Sequence, residues 1–407
     1  MIDEIVLEKL EFEKILNQVS KYSSTESGKN LILNLYPSSD ISFITTEGIL
    51  IEEAKEIINK AGHPPIDFIS DLKNSLSESR IEGSNLSSNK VLEILKLAKT
   101  SRLLIQFLKS ELKEESRLRE KLYSLFSDKL FEHHIDKVIN EQGEIKENAS
   151  NELSRIRKDI NSRRNELVKS INRIIKTLKE DDIVREDYLT LRDGRMVIPI
   201  KAEHKRHIRG FIHSESSTGQ TVYIEPEETL DLNNDIISLS FAERREIERI
   251  LRELTKMIGQ SSEQLKTSLE TISYIDSVFA RAQYSIEIIG SFPQLDITKP
   301  IYFSEARHPI LLKKLSRQKT VPLSFELNND RVVIITGPNA GGKTVVLKTI
   351  GILSLMLQAG IHVPANSNSN FHIFKNILID IRDQQSIEDD LSTFSSHLKH
   401  LKSIIDN

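Results

Sequence analysis

The chain has 407 residues, of which 38% are hydrophobic and 29% are charged, with 15 glycines, 11 prolines and no tryptophan. This balance suits long, charged helices and excludes a disordered or collagen-like chain, while the length allows about two to four domains. A formal net charge of −4 excludes a uniformly basic nucleic-acid coat but leaves room for a local basic patch.

Two absences narrow the class further. The chain has no cysteine, which excludes a disulfide framework, a thiolate metal site and a cysteine nucleophile. Residues 1–5 are acidic and lack the basic and apolar regions of a secretory signal. The longest apolar stretch, residues 344–363, is interrupted by Lys348, Gln358 and His362, so it predicts a buried helix and not a membrane span. We therefore expect a cytoplasmic protein.

Residues 1–149 are predicted to form a helical core. Apolar residues recur at helical spacing, as at Val91, Leu92 and Leu95, and short polar breaks separate the helices. No chemistry can be assigned to this region from its residues.

Two long helices with narrow apolar seams follow. The first seam lies within residues 150–187 and consists of Leu153, Ile156, Ile160, Leu167, Ile171, Ile174 and Leu178. The second is predicted on one helix over residues 235–272 and consists of Ile247, Leu251, Leu254, Ile258, Leu265, Leu269 and Ile272. The spacing of three, four and seven is typical of packed helices. We expect an antiparallel arm, with residues 150–187 ascending and residues 227–292 descending and returning to the core.

Residues 188–226, between the two seams, have a strand-like pattern. Residues 188–192 and 195–201 flank Asp193-Gly194, which predicts a hairpin. Residues 208–213 and 221–225 form a second predicted pair. The arm is thus expected to end in a small β tip.

The predicted tip is rich in cations. Six of its residues are candidates for nucleic-acid contact: Arg192, Arg195, Lys201, Lys205, Arg206 and Arg209. Such a patch would hold a duplex by its phosphates without reading sequence. The alternative is an ordinary solvated turn. The three histidines of the tip, His204, His207 and His213, are too irregularly spaced to predict a metal site.

Residues 293–407 are predicted to begin an α/β domain. Pro293 and Pro300 mark a linker, residues 332–336 predict a buried strand, residues 343–359 a helix, and residues 373–381 a second candidate strand.

A phosphate-binding motif lies between that strand and that helix. Its residues are Gly337, Pro338, Asn339, Ala340, Gly341, Gly342, Lys343 and Thr344. They match the P-loop pattern G-x-x-x-x-G-K-[ST]. The glycines let backbone N–H groups point at phosphate oxygens, and the helix N-terminus adds partial positive charge. Lys343 is expected to reach the β- and γ-phosphates of ATP, and the Thr344 hydroxyl to bind Mg²⁺. An ordinary glycine-rich turn is the alternative.

Hydrolysis also needs an acidic residue at the end of a neighbouring strand. Asp380 is the one candidate, and it is followed by Ile381 and Arg382 where a catalytic glutamate would be expected. We favour an ordinary strand ending over a metal-binding carboxylate.

Several stretches resemble the MutS family of ABC-type ATPases. Residues 336–344 carry the resemblance, with residues 305–309 upstream and 391–397 downstream. Residues 193–203 and 217–226 are similar to the second bacterial MutS subfamily, which lacks the mismatch-reading domain. The resemblance covers essentially the whole chain. It implies an α+β multidomain protein, with a mainly α core, a helical lever arm, a β clamp tip and the first part of a P-loop ATPase domain.

The resemblance also implies roles and partners. Ser392 matches the signature serine that is presented to the γ-phosphate held by the other subunit, so that Lys343 and Ser392 would act together in a homodimer closed over two ATP molecules. Asn339 occupies the family's loop asparagine position. Arg382 departs from the family, which typically has glycine there. The Walker B pair, dimerising helices and Smr nuclease domain would lie beyond Asn407, so the chain as given is expected to hydrolyse ATP poorly and not to cut nucleic acid.

Three functions remain open at this stage. The first is an ATP-driven clamp on branched or junction DNA which, with an endonuclease in the full-length protein, suppresses homologous recombination. The second is a quality-control factor that splits stalled ribosomes and contacts rRNA. The third, a chromosome-organising coiled-coil ATPase, is weakened by the short arm.

Overall fold

A computed structural model describes residues 2–179, 183–184, 190–328, 332–338 and 341–381. This part of the chain is mainly helical with small antiparallel sheets, which places it in the α+β class. Its α-helices in chain order are α1 (Glu4–Lys9), α2 (Phe12–Ser20), α3 (Glu26–Leu33), α4 (Ile41–Ala61), α5 (Lys73–Glu78), α6 (Ser88–Glu111), α7 (Arg117–Lys121), α8 (Lys129–Val138), α9 (Asn151–Lys179), α10 (Leu230–Gln260), α11 (Ser262–Ile288), α12 (Pro309–Leu315) and α13 (Lys343–Gln358). Its strands are β1 (Thr190–Arg192), β2 (Arg195–Lys201), β3 (Gly210–Glu215), β4 (Thr221–Pro226), β5 (Ile301–Ala306) and β6 (Leu323–Leu327).

The described residues group into two compact units. The first comprises the described parts of Met1–Lys73, Lys96–Asp128 and Glu263–Asn407, and the second comprises Asn74–Leu95 and Lys129–Ser262. No helix of the described ranges is both long and apolar enough to cross a membrane.

The first unit has a core that joins its N-terminal helices to helix α13. Ile352, Leu353 and Met356 of α13 are fully buried in it. Gly351 lets the helices approach closely, because a Cβ there would lie 2.8 Å from the side chain of Leu10. The apolar surface of α13 therefore reflects burial in this core, as the sequence predicts.

Helices α9 and α10 of the second unit run antiparallel. Arg157 Nε lies 2.7 Å from Glu243 Oε1, and further along α9 Arg163 Nε lies 3.4 Å from Asp235 Oδ2. The residue numbers of the partners on α10 thus decrease as those on α9 increase, which is the pattern of antiparallel helices. The buried face of α9 follows the predicted seam with one difference. Ile175 is buried, whereas Ile174, which the spacing had predicted, is only partly buried. That the pair acts as a lever stays a prediction.

A four-stranded antiparallel sheet, in the order β1-β2-β4-β3, lies between α9 and α10 in the chain. Ile198, Ile200, Val222 and Ile224 of its central strands pack against apolar residues of α9 in one cluster. The Asp-Gly hairpin is confirmed: Asp193 and Gly194 both have positive φ, at 49° and 77°, as its tight turn requires. The second predicted strand pair also forms, as β3 and β4.

The predicted single helix over residues 235–272 is wrong. The chain forms α10 and α11 in its place, and Ser261 between them leaves helical geometry at φ −103° and ψ 5°. The apolar spacing continues through this point, so periodicity alone could not place the break.

The two predicted strands of the last region are also wrong. Residues 332–336 lie in irregular backbone, with Val332 77% and Ile334 82% exposed, and residues 373–381 are irregular as well. A strand needs a neighbour for its backbone hydrogen bonds, and the described ranges supply none beside these segments. Ile377 and Ile379 nevertheless pack against the core of the first unit.

Candidate functional site

Two glycines of the predicted P-loop have the positive φ that a tight phosphate-binding turn would use. Gly337 has φ 149° and Gly342 has φ 82°, conformations that residues with a Cβ rarely adopt. Gly342 is also the N-cap of α13, and Lys343 is the first residue of that helix. The described end of the motif thus leads into the N-terminus of a helix, the place where phosphate groups bind most readily.

Lys343 folds back over the loop. Its Nζ donates to the carbonyl oxygen of Pro338 at 3.0 Å and also contacts the carbonyl of Gly337. The N–H of Gly341 donates to the same Pro338 carbonyl at 2.9 Å. A phosphate would compete for the Lys343 ammonium, whose acceptors within the described ranges are neutral carbonyls.

The residues present fit a phosphate group. A Cβ placed on Gly337 or Gly342 would meet no atom of the described residues within 4 Å, which leaves room for a phosphate beside both glycines. The Thr344 side chain is exposed and can serve as one Mg²⁺ ligand. Within the described ranges no group of three histidine, aspartate or glutamate residues could hold a metal alone. A magnesium ion here would take its other ligands from phosphate oxygens and water.

Four predicted positions lie outside the described residues: Asn339, Ala340, Arg382 and Ser392. Asp380 is described and is exposed in irregular backbone. Its neighbourhood therefore contains no strand end of the kind that the sequence had suggested.

The upstream stretch at residues 305–309 joins β5 to α12. Glu305 has φ 48° at an irregularity in the β5–β6 pair, and the N–H of Arg307 donates to the Pro364 carbonyl at 2.9 Å. His308 is the N-cap of α12 and is only 6% exposed. Burial lowers the pKa of His308 to about 4, so the ring is neutral at physiological pH.

In the tip, two of the predicted cations have structural partners. Arg195 donates to the buried carboxylate of Glu225 at 2.7 Å and to Asn234 Oδ1 at 2.7 Å. His213 contacts the other oxygen of Glu225 at 2.6 Å. Arg192 lies over the ring of Tyr223, at 4.1 Å from its centroid. Arg195 in particular is placed to hold the sheet together.

Three other cations are exposed. Lys205, Arg206 and Arg209 lie in or beside the loop between β2 and β3, and no carboxylate of the described ranges forms an ion pair with them. Lys201 is half-buried at the end of β2, and its backbone N–H donates to the Ile183 carbonyl at 3.2 Å. The structure thus separates an exposed cationic group from cations that stabilise the tip.

The sequence interpretation missed two apolar residues next to that group. Phe211 and Ile212 are 60% and 50% exposed, and their strand, β3, lies at an edge of the sheet. An aromatic residue two positions after Arg209 was visible in the sequence. Its exposure was not, because it depends on which strand forms the edge.

Comparison with known proteins gives one family match and many relatives. Residues 333–407 match the family model described as MutS domain V. A protein from Halothermothrix orenii named Endonuclease MutS2 is 36% identical over 410 residues, covering 98% of this chain and 51% of that protein. Its namesake from Alkaliphilus oremlandii is 36% identical over 409 residues, with 100% and 51% covered.

A third relative of the same name, from Clostridioides difficile, is 34% identical over 411 residues, with 100% of this chain and 51% of that protein covered. Each of these matches covers 98% or more of this chain. The chain spans about half the length of the curated relatives it matches.

Proposed function

Since this chain belongs to the MutS family, and within it to the MutS2-type branch, we propose that it acts as an ATP-dependent clamp on branched or recombining DNA. The observation that carries the proposal is the exposed group of Lys205, Arg206 and Arg209, which no described carboxylate neutralises. We refer to these three residues as the tip cations.

The P-loop supports the nucleotide part of the proposal. Gly337, Gly341, Gly342 and Lys343 would hold the phosphates, together with Pro338, Asn339 and Ala340 of the same loop, and the Thr344 hydroxyl would contact Mg²⁺. Hydrolysis of bound ATP by water to ADP and phosphate, in the longer protein, would supply the free energy for a conformational cycle. On binding, Lys343 would exchange two neutral carbonyl acceptors for phosphate oxygens, which form stronger charge-assisted hydrogen bonds.

The dimer is part of the same proposal. Lys343 of one protomer and Ser392 of its partner would face the same nucleotide, so that two chains close over two ATP molecules. In the longer protein we propose that this cycle acts with an endonuclease to suppress homologous recombination, an extension that takes the nuclease from the printed name of the relatives.

The tip supports the DNA part. Exposed cations on a small, well-packed sheet can contact phosphates without a matching sequence. Phe211 and Ile212 beside them offer apolar contact of the kind that unpaired or splayed bases use. Branched DNA has both duplex phosphates and less constrained bases.

The test replaces the tip cations together, as Lys205→Gln, Arg206→Gln and Arg209→Gln, and measures four-way-junction binding by fluorescence anisotropy from low to physiological salt. We expect weaker binding, and a fall of up to about three in the slope of log affinity against log salt, since each phosphate contact contributes roughly 0.9.

The matched control carries Lys158→Gln, Arg164→Gln and Arg173→Gln, three exposed cations of α9. It removes the same charge from the same unit. Equal affinity and salt slope in the tip variant and this control would remove the tip from the DNA interface. A tip variant that loses affinity for ribosomes and none for junction DNA would contradict the DNA target.

A further inference from the structure

A cation-lined cavity lies beside helix α13. It has a volume of about 430 Å³, and its walls come from α2, α12 and α13 with the residues that adjoin them, all within the first unit. Its charged and titratable lining residues are Glu11, Lys14, Lys21, His308, Lys314 and Lys348. We refer to this cavity as the lysine pocket.

The lysine pocket has more positive than negative charge. Glu11 contacts Lys14 and lies 3.7 Å from Lys348. The hydrogen bond from Lys14 lowers the pKa of Glu11, so this carboxylate is ionised at neutral pH. Lys21 and Lys314 form no ion pair within the described ranges. Two of the four ammonium groups thus share one carboxylate, and the other two have no counter-ion among the described residues.

His308 gives the pocket a buried polar wall. The side chain is 6% exposed, and its Nδ1 has no hydrogen-bond partner in the part of the chain that the structure describes. Buried polar atoms are nearly always paired, and an unpaired one destabilises the fold. Such an atom beside a cluster of ammonium groups can pair with a bound ligand.

The remaining walls are apolar. Ile310 and Leu311 of α12 and Val345 of α13 line the cavity. Its volume falls in the range of pockets that bind small molecules, roughly 300–1,000 Å³. A ligand with an anionic end and a less polar body would therefore be complementary to it.

We propose that the lysine pocket binds a small phosphorylated molecule at a site separate from the P-loop. Its phosphate would accept hydrogen bonds from Lys21 and Lys314, and His308 would line the site. Because Val345 and Lys348 belong to the helix that starts at Lys343, the ligand would contact the same helix that the proposed ATP site uses.

The test uses inorganic pyrophosphate as the probe and the 407-residue chain carrying Lys343→Ala, which removes the P-loop lysine. Isothermal titration calorimetry should still detect one binding site. Adding Lys21→Gln and Lys314→Gln should weaken that site by about tenfold or more, because both charge-assisted contacts are lost. The matched control adds Lys96→Gln and Lys375→Gln, two exposed lysines outside the pocket, and should bind as the parent does.

A second readout follows His308 itself by NMR in the Lys343→Ala chain. Burial holds the pKa of His308 at about 4, and the positive charge of Lys348 also lowers it. The pKa should rise when pyrophosphate binds, because the added negative charge favours the imidazolium form. The shift should vanish in the chain with Lys21→Gln and Lys314→Gln. The proposal is overturned if the pocket variant binds pyrophosphate as tightly as the control, or if the His308 pKa does not move. The Lys343→Ala background keeps this outcome independent of nucleotide binding at the P-loop.

Discussion

Glu225 organises the charged residues of the tip. It is 1% exposed, and its two oxygens accept hydrogen bonds from Arg195 at 2.7 Å and His213 at 2.6 Å. A buried carboxylate is tolerated only when it is paired, so these partners are required for the stability of the sheet. The exposed cations Lys205, Arg206 and Arg209 form no such ion pair with a carboxylate of the described ranges.

Glu225→Gln should therefore loosen the tip. The amide keeps the shape but loses two charge-assisted hydrogen bonds, and its –NH₂ group faces a donor, for an expected loss of about 1–3 kcal/mol. Hydrogen exchange measured by mass spectrometry should speed up in β2, β3 and β4. Glu215→Gln, on an exposed side chain of β3, is the control. Unchanged protection in Glu225→Gln would mean that the buried carboxylate does not stabilise the sheet.

His362 is fully buried in the first unit. Its Nε2 donates to the Gly48 carbonyl at 3.0 Å, and its Nδ1 accepts from the Ser285 hydroxyl at 3.0 Å. Burial lowers the pKa of His362 from 6.5 to about 3, a shift that the Gly48 hydrogen bond opposes and that Lys55 and Arg281 reinforce. The folded protein therefore holds this ring neutral.

This pKa gives a dependence of stability on pH with a defined sign. Between pH 6.5 and about pH 3 the unfolded chain binds a proton at His362 that the folded chain does not, so stability falls as the pH falls. The contribution to the slope is at most about 1.4 kcal/mol per pH unit. His362→Gln should flatten the free energy of unfolding measured in urea between pH 6.5 and pH 4. The control His63→Gln, at an exposed position, should leave the slope as it is. An unchanged slope in His362→Gln would contradict the neutral buried ring.

At the residue scale, the sequence was sufficient where the requirement is local. Gly194, Gly337 and Gly342 were predictable because a tight turn or a phosphate loop needs positive φ at a fixed place in the motif. The role of Arg195 was not, because its partner Glu225 lies thirty positions away and only the β2–β4 pairing brings them together.

The end of helix α10 shows how an element is positioned by a small residue. A Cβ on Gly259 would lie 2.3 Å from the carbonyl oxygen of Ser79, in the same unit. Glycine thus allows the helix to lie directly against that backbone. The seam pattern of apolar residues gave no indication of this contact.

Gly259→Ala should be destabilising although alanine is the better helix former. The backbone of Ser79 must move to admit the methyl group, at an expected cost of about 1–3 kcal/mol. Protection from hydrogen exchange should fall in residues 74–95 and in the C-terminal turns of α10. Gly83→Ala, in open space, controls for glycine replacement in the same unit, although its own φ of 81° adds local strain. Full protection in Gly259→Ala would show that the contact is not required.

Two predicted strands are wrong for a physical reason, whereas the four strands of the tip and the helices α9 and α13 form as predicted. An α-helix satisfies its hydrogen bonds within one segment, so α9 and α13 follow from their own residues. A strand must pair with another segment, and residues 332–336 and 373–381 have an apolar strand-like composition without a paired neighbour in the described ranges. The α10–α11 break was missed because the apolar spacing does not change there.

At the scale of the whole molecule, the P-loop and the tip cations are candidate sites of different chemistry in different units. The P-loop is part of the first unit, and the tip cations are part of the second. Each unit has its own apolar core, so substitutions of exposed residues in one need not disturb the fold of the other. Separate losses of function are therefore expected from variants of each site.

The most direct test of this account is the affinity of a fluorescent ATP analogue for three chains: the unaltered chain, Lys343→Ala, and the tip variant with Lys205→Gln, Arg206→Gln and Arg209→Gln. The account predicts that Lys343→Ala weakens binding by about tenfold or more, through the loss of charge-assisted phosphate contacts, while the tip variant binds the analogue as the unaltered chain does. Equal affinity in Lys343→Ala and the unaltered chain would contradict the P-loop assignment, and with it the proposal of an ATP-dependent clamp.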